Sequence, residues 1–224
     1  MSRRSKVLLS WSSGKDSAWA LQALRGQPDI ELAGLITTFN QQADRVAMHA
    51  VRRELVEMQA TAVSLPLFPV DLPWPCPNEE YEKILTGALT ELKNRLSITH
   101  VAFGDLYLED VRAYREKQMG SLGLTPLFPI WGQPTNKLAQ QMVAAGVKAW
   151  LTCVDPKQLP REFAGRAYDA RLLGELPGAV DACGENGEFH TFAWDGPMFA
   201  NPVHVSPGEI VERDGFVFAD LTPG

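Results

Sequence analysis

Ser10-Trp11-Ser12-Ser13-Gly14-Lys15-Asp16-Ser17 follows the apolar run Val7-Leu8-Leu9 and opens into Ala18-Trp19-Ala20-Leu21-Gln22-Ala23-Leu24. A buried strand that ends in small residues and turns directly into a helix makes an anion cradle. Free N–H groups at the helix N-terminus point at the ligand, and the helix dipole favours negative charge there. Lys15 adds a full positive charge, and the hydroxyls of Ser12, Ser13 and Ser17 add donors. A Walker A loop requires a glycine five residues before Gly14 and Ser or Thr directly after the lysine. Leu9 and Asp16 stand there instead, so this is not that loop. Taken alone, the stretch also reads as an ordinary serine-capped helix after a strand.

Outward from the loop, the first half of the chain alternates strand-like and helix-like segments, the pattern of βαβ units on a parallel sheet. Strands are expected at 6–10, 30–37, 63–70, 99–103 and 125–130. The stripe Val46, Ala50, Val51, Leu55 and Met58 predicts a helix over 44–59. Asn78 as N-cap, with Glu79 and Glu80 in the first turn, predicts another over 78–96. On the first of these helices Arg45, His49 and Arg52 or Arg53 share a face, a basic strip suited either to a triphosphate or carboxylate or to solvent and the acids Glu54 and Glu57. Beyond Trp131-Gly132-Gln133-Pro134 the pattern predicts a helix at 136–145, a strand at 147–154 and a helix at 161–173 stopped by Gly174. A hairpin of 209–213 and 216–219 turns at Asp214-Gly215.

In open parallel sheets, ligands bind beyond the carboxyl ends of the strands, where strand order reverses. Three polar groups fall at such ends: the loop at 10–17, Thr37-Thr38, and Gly104-Asp105. A fourth lies far along the chain, in Gly184-Glu185-Asn186-Gly187-Glu188-Phe189-His190-Thr191. Asn186-Gly187 is a turn signal, and a strand from Glu188 to Trp194 places Glu188 and His190 on one face with Glu185 beside them. Two carboxylates and an imidazole can hold an ammonium or amine, orient a nucleophile or accept a proton. By spacing alone, they are equally two exposed glutamates and a satisfied histidine.

Ser12-Ser13-Gly14-Lys15-Asp16-Ser17 resembles the PP-loop of ATP pyrophosphatases, S-G-G-x-D-S, with Ser13 in place of the first glycine. The segment 184–191, followed by Asp195-Gly196-Pro197-Met198-Phe199, is similar to the signature of the diphthine–ammonia ligase family. Met48-His49, Asn78-Glu79-Glu80-Tyr81-Glu82 and Phe103-Gly104-Asp105 match as well, so the resemblance covers nearly the whole chain. It implies a Rossmann-like α/β domain of the PP-loop (HUP) type at residues 1–130, with a smaller α/β substrate domain at 131–224 closing over the site. It implies ATP held by Ser10, Ser12, Ser13, Gly14, Lys15, Asp16, Ser17, Thr37, Gly104 and Asp105, with adenine beside Ile36–Thr38. Asp16 and Asp105 would hold magnesium, which takes one or two carboxylates together with nucleotide phosphates. Lys15, Asp16, Glu188 and His190 would be catalytic, and His49, Glu185, Glu188, His190 and Thr191 would face the acceptor or ammonia. The implied reaction adenylates a carboxylate, releases pyrophosphate and lets ammonia displace AMP; in the family the acceptor is diphthine on translation elongation factor 2. The alternatives are a ligase of the same chemistry acting on a small carboxylate and a regulator that binds ATP without turnover. Being part of a surface loop, Lys15 is expected to add little to stability. Because Ser13 carries a Cβ where the family has glycine, the loop is expected to be slightly different or tighter.

The 224 residues carry 21 Lys and Arg against 27 Asp and Glu, a net charge of −6, which argues against sequence-independent binding to duplex nucleic acid. No apolar run approaches membrane-spanning length, and Val7-Leu8-Leu9 is too short for the core of a signal peptide. Cys76, Cys153 and Cys183 form no Cys-x-x-Cys pair, which fits a reducing cytoplasm and argues against a zinc site. A homodimer is compatible with this reading.

Overall fold

The computed structural model describes residues 4–46 and 49–224. Met48, one half of the Met48-His49 match, lies outside the described residues. Two sheets carry the fold. In the first, β1 (Ser5–Ser10) lies between β2 (Ile30–Asn40) and β5 (His100–Ala102), parallel to both. β4 (Leu67–Leu72) extends the sheet beside β2, and β6 (Thr125–Leu127) extends it beside β5. Both outer strands carry a proline, Pro69 and Pro126, which an edge tolerates because one side of the backbone needs no partner. A two-residue strand, β3 (Arg45–Val46), runs antiparallel to the end of β2. The central strands are fully buried at Val7, Leu8, Leu9, Leu35 and Ala102, so they read as continuous apolar runs.

The second sheet is antiparallel, in the order β8 (Phe189–Asp195), β7 (Lys148–Val154), β10 (Phe216–Pro223), β9 (Val205–Arg213). The β9–β10 turn takes Asp214 and Gly215 through φ of 52° and 82°, the left-handed pair that matches strand twist. Helices α1 (Lys15–Arg25), α2 (Arg53–Ala62), α3 (Asn78–Leu96), α4 (Glu109–Ser121), α5 (Thr135–Ala144) and α6 (Ala170–Glu175) complete the order. One apolar core runs through both sheets, joining Val7, Leu9 and Leu21 to Leu151, Phe192 and Met198. The carboxyl-terminal sheet is therefore packed onto the first layer through a shared apolar core.

The helix expected over 44–59 is not formed. Val46 donates to and Val51 offers the matching acceptor in a 2.8 Å backbone bond, and Ala50 sits at a φ of 55°, so the chain turns back on itself and the helix starts only at Arg53. The basic strip dissolves with it. Arg45 and Arg52 both bind Asp220 on β10, at 2.7 Å and through a bidentate contact, while Arg53 pairs with Asp44 and Asp71. The helix expected over 161–173 is likewise broken: a 3₁₀ turn covers Arg161–Phe163, Gly165 takes a φ of 77°, and α6 restarts behind Asp169, whose carboxylate caps Leu172 at 2.8 Å. Gly174 lies inside that helix rather than after it.

Burial opposes charge on Asp220, but the Arg52 and Arg45 guanidiniums outweigh it and hold the pKa at about 2. An unfolded aspartate titrates near ~3.9. The contribution to stability is thus present above about pH 4 and lost as pH falls towards 2. Asp220→Asn should be less stable than the parent at pH 7, and the gap should close between pH 4 and 2 in denaturant titrations run at each pH.

Candidate active site at the switch between strand orders

Strand order reverses at β1 and β5, and the loops that leave those two strands face each other across a cavity. The loop after β1 enters α1 through Gly14, which an ideal Cβ would bring within 3.2 Å of the Thr191 carbonyl. At Gly104, after β5, a Cβ would meet the backbone of Asp16 and Ser17 at 3.0 Å. Both glycines are there because backbone approaches backbone. Ser13 is fully buried at a φ of 70°, the left-handed region in which glycine is at ease. The residue that departs from the motif thus holds a backbone conformation that costs a non-glycine residue about 1–2 kcal/mol. Its hydroxyl has no hydrogen-bond partner among the described residues.

Strand β8 seals the loop. Ala193 N–H donates to the Ser13 carbonyl at 2.9 Å, and the Lys15 N–H donates to Thr191 Oγ1 at 3.1 Å. Gln59, buried on α2, accepts from Trp11 Nε1 at 2.8 Å and donates to the carbonyls of Ser13 and Ala193. Thr37 steadies the strand end from β2, its hydroxyl donating to the Trp11 carbonyl at 2.7 Å.

Lys15 differs most from its expected place. Only 1% of it is exposed, and its ammonium donates to Asp16 Oδ2 at 2.9 Å and to the Cys183 carbonyl, lying 5.2 Å from the ring centres of both Tyr168 and Phe189. Burial works against the ammonium, yet the attraction of Asp16 keeps its pKa raised. Burial likewise raises Asp16 against the pull of Lys15.

Two joined compartments open above this floor. The first, about 270 Å³, is lined by Lys15, Asp16, Asp105, Arg115, Glu185 and His190, among others. The second, about 370 Å³, is lined by Trp11, Thr37, Thr38, Leu85, Phe103 and Met119, among others. Ser10, Ser12, His49, Phe103, Arg115 and His190 border both. Asp16 Oδ1 and Asp105 Oδ2 are buried and, among the described residues, without a hydrogen-bond partner. Arg115 approaches Asp105 only to 3.7 Å. Burial raises Asp105, Arg115 opposes, and Asp16 adds repulsion. Orphaned carboxylate oxygens in a polar cavity are a demand for a cation or a donor.

Of the signature residues, the structure brings Glu185, His190 and Thr191 to the cavity and sends Glu188 elsewhere. Glu188 is 2% exposed and closes its own loop, accepting from the N–H groups of Asp181 and Asn186 at 2.9 Å and from Asn186 Nδ2 at 3.0 Å. Strand β8 begins only at Phe189, so alternation does not carry Glu188 onto the face of His190. Glu185 accepts from Leu106 N–H at 2.7 Å, and burial pushes its pKa up to about 7. His49 reaches the cavity from the turn before α2, not from a helix face. Gln59 and Arg115 escaped the sequence reading. Gln59 had a signal, a polar residue at the buried spacing of α2, four after Leu55. Arg115 had none, since α4 is charged all along its length.

Family models match the chain twice: the diphthamide synthase N-terminal domain over residues 5–126 and the diphthamide synthase C-terminal domain over 134–219. The chain belongs to the diphthamide synthase family. It is 27% identical to the diphthine–ammonia ligase of Bos taurus over 94% of this chain and 86% of that one. It is 26% identical to the human protein of the same name over the same shares. The match to the Schizosaccharomyces pombe diphthine–ammonia ligase, at 27%, covers 93% of this chain but 37% of that longer one.

Removing the Lys15 ammonium leaves Asp16 buried without its partner, a change that costs roughly 3–5 kcal/mol where such pairs have been broken. Lys15→Ala should therefore unfold at clearly lower denaturant, and Lys15→Met with Asp16→Asn should recover most of the loss. Ser13→Gly should unfold at the same or higher denaturant than the parent, gaining up to about 1 kcal/mol from relieved strain less the flexibility of glycine. Ser13→Ala keeps the strain and should fall below Ser13→Gly in the same series.

Proposed function

We propose that this protein is an ATP-dependent amide ligase of the diphthine–ammonia ligase type. The observation that carries the reading is the convergence of residues 10–17, 103–105 and 183–191 on one two-compartment cavity with unpartnered carboxylate oxygens. Family membership supports it, as does the similarity to relatives named for that activity. Ser13 is compatible with it, since it takes up a left-handed φ of 70° that glycine adopts without strain.

In this reading the nucleoside lies in the compartment of Thr37, Thr38 and Phe103, and the phosphates lie beside Ser12, Asp16, Asp105 and Arg115. Ser10 offers a hydroxyl donor, Ser12 and Ser17 spend theirs on Ser17 Oγ and the Gly14 carbonyl within the loop, and Lys15 holds the loop in shape from beneath. Magnesium fits the donor set, since two carboxylates with phosphate oxygens meet its preference for oxygen ligands. Asp16 and Asp105 would hold it, and its contribution is to neutralise charge on the leaving pyrophosphate. The carboxylate oxygen of the acceptor attacks the α-phosphorus and the P–O bond to pyrophosphate breaks. Ammonia then forms the C–N bond as AMP departs with the C–O electron pair, and the nitrogen gives up one proton to solvent to leave the neutral amide. Ammonium must first give up a proton. Glu185, with a pKa near neutrality and an anchored orientation, is the carboxylate suited to accept it. Diphthine is the acceptor the relatives' name points to, and the family resemblance places it on translation elongation factor 2 in the cytoplasm.

Incubation with α-labelled ATP, magnesium, ammonium and diphthine-bearing elongation factor 2 should yield AMP, pyrophosphate and the amidated factor. ADP as the main product would overturn the reading. Amide formation should rise with pH through about 7 as Glu185 ionises. Glu185→Gln keeps an acceptor for Leu106 but should lose that rise and slow amide formation by about 10²-fold.

A further inference from the structure

His49 and His190 come from opposite halves of the chain and meet where the two compartments join, with ring centres 4.5 Å apart and planes tilted by 34°. Each is built into place. His190 stands on β8, its carbonyl facing the Thr152 hydroxyl at 3.4 Å. His49 is carried by the turn that Val46 and Val51 close, and the two arginines flanking that turn are both bound to Asp220. Its Nδ1 lies 3.4 Å from the Thr191 carbonyl. A carbonyl can only accept, so Nδ1 carries the hydrogen and Nε2 keeps its lone pair free. The edge of the His49 ring lies 3.3 Å from where a Cβ on Gly14 would stand, directly over the loop.

A nucleotide laid across both compartments places its first phosphate at their joint, because the nucleoside occupies one and the remaining phosphates the other. We infer that His49 and His190 act together as a two-imidazole grip on the nucleotide's α-phosphate. This rests on the nucleotide-binding reading above and adds to it the residues that distinguish a phosphate-bearing ligand from a nucleoside. Two imidazoles in contact cannot both be charged without repulsion, and the charged neighbours differ in sign. Lys15 from α1 disfavours charge on both rings, as burial does, and Arg115 from α4 shares the cavity; Asp16, Asp105 and Glu185 are its acids. In the free protein both rings are neutral, burial being the larger cause, with His190 lowered to about 4. A phosphate monoanion or dianion held at the shared edge of the two rings reverses that balance, so one ring takes a proton as the phosphate arrives.

AMP and adenosine differ only by that phosphate and serve as probes. Calorimetric titration of the whole chain should give AMP binding that weakens about ten-fold or more in His49→Asn and in His190→Asn, a loss of one charge-assisted hydrogen bond. Adenosine affinity should change less than about two-fold. The wild-type chain provides a second measurement that needs no variant. It has four histidines, so His100 and His204 act as internal references in a proton NMR titration. One of the His49 and His190 signals should move its midpoint up by at least about one pH unit with AMP bound and stay put with adenosine. Equal loss of AMP and adenosine in the variants, or an unmoved midpoint with AMP bound, overturns the grip while leaving nucleotide binding intact. Failure of the wild-type chain to bind either probe overturns the nucleotide reading, and the grip with it.

Discussion

The Lys15 ammonium is the point on which the two halves of the molecule turn. It leaves the first turn of α1, descends between the rings of Tyr168 and Phe189, and ends on the carbonyl of Cys183. A buried charge must be paired and hydrogen-bonded, and every partner it has outside its own loop belongs to the carboxyl-terminal half. The same contact therefore folds the loop, docks the second sheet and fixes Asp16. Thr191 and Ala193 finish the work by taking and giving the loop's backbone hydrogen bonds. A cavity between two layers is held open in one shape because its floor is shared by both.

That arrangement explains why some of the site was legible in sequence and some was not. Local signals survived: small residues after an apolar strand, the helix over 78–96, Asp214-Gly215 turning a hairpin. Each depends on residues within a few positions of one another. The expected cap of that helix did not survive, since Pro77 is the N-cap, Asn78 is the first helical residue and no side chain caps the turn. The stretch 44–59 has a helical apolar stripe, yet Val46 and Val51 pair in a turn because Arg45 and Arg52 find Asp220, some 170 residues away in the chain. Periodicity contains no information about such a partner, and the stripe is real only from Arg53 onward.

Glu185 and Glu188 make the same point at closer range. Both are glutamates in one loop, three residues apart, and a strand read from Glu188 puts Glu188 on the face of His190 with Glu185 at the turn beside it. The loop instead uses Glu188 to satisfy three of its own donors, which a tight turn must do when it is buried. Glu185 is then the residue left pointing across to Leu106 and the strand ends of the first sheet. Which of two like residues is structural depends on the backbone donors near it, and those appear only when the turn is built.

The charge balance of the cavity constrains what can enter it. Lys15 is spent on Asp16, and Arg115 is the nearest cation to Asp105. The two histidines are neutral, and Glu185 carries a growing negative charge above neutrality. A triphosphate thus meets a pocket whose positive groups are already matched by carboxylates, unlike a loop whose lysine stands free. Entry of four negative charges into such a space is unfavourable unless positive charge arrives with them or forms on arrival. On the proposed reading the orphaned oxygens of Asp16 and Asp105 answer the first requirement, being oxygen ligands of the kind a divalent cation takes. The imidazole pair answers the second, because a neutral ring becomes a cation only when an anion is beside it. On the proposed reading, a site so arranged favours the metal-bound nucleotide over the free one, and repels other anions that bring no cation of their own.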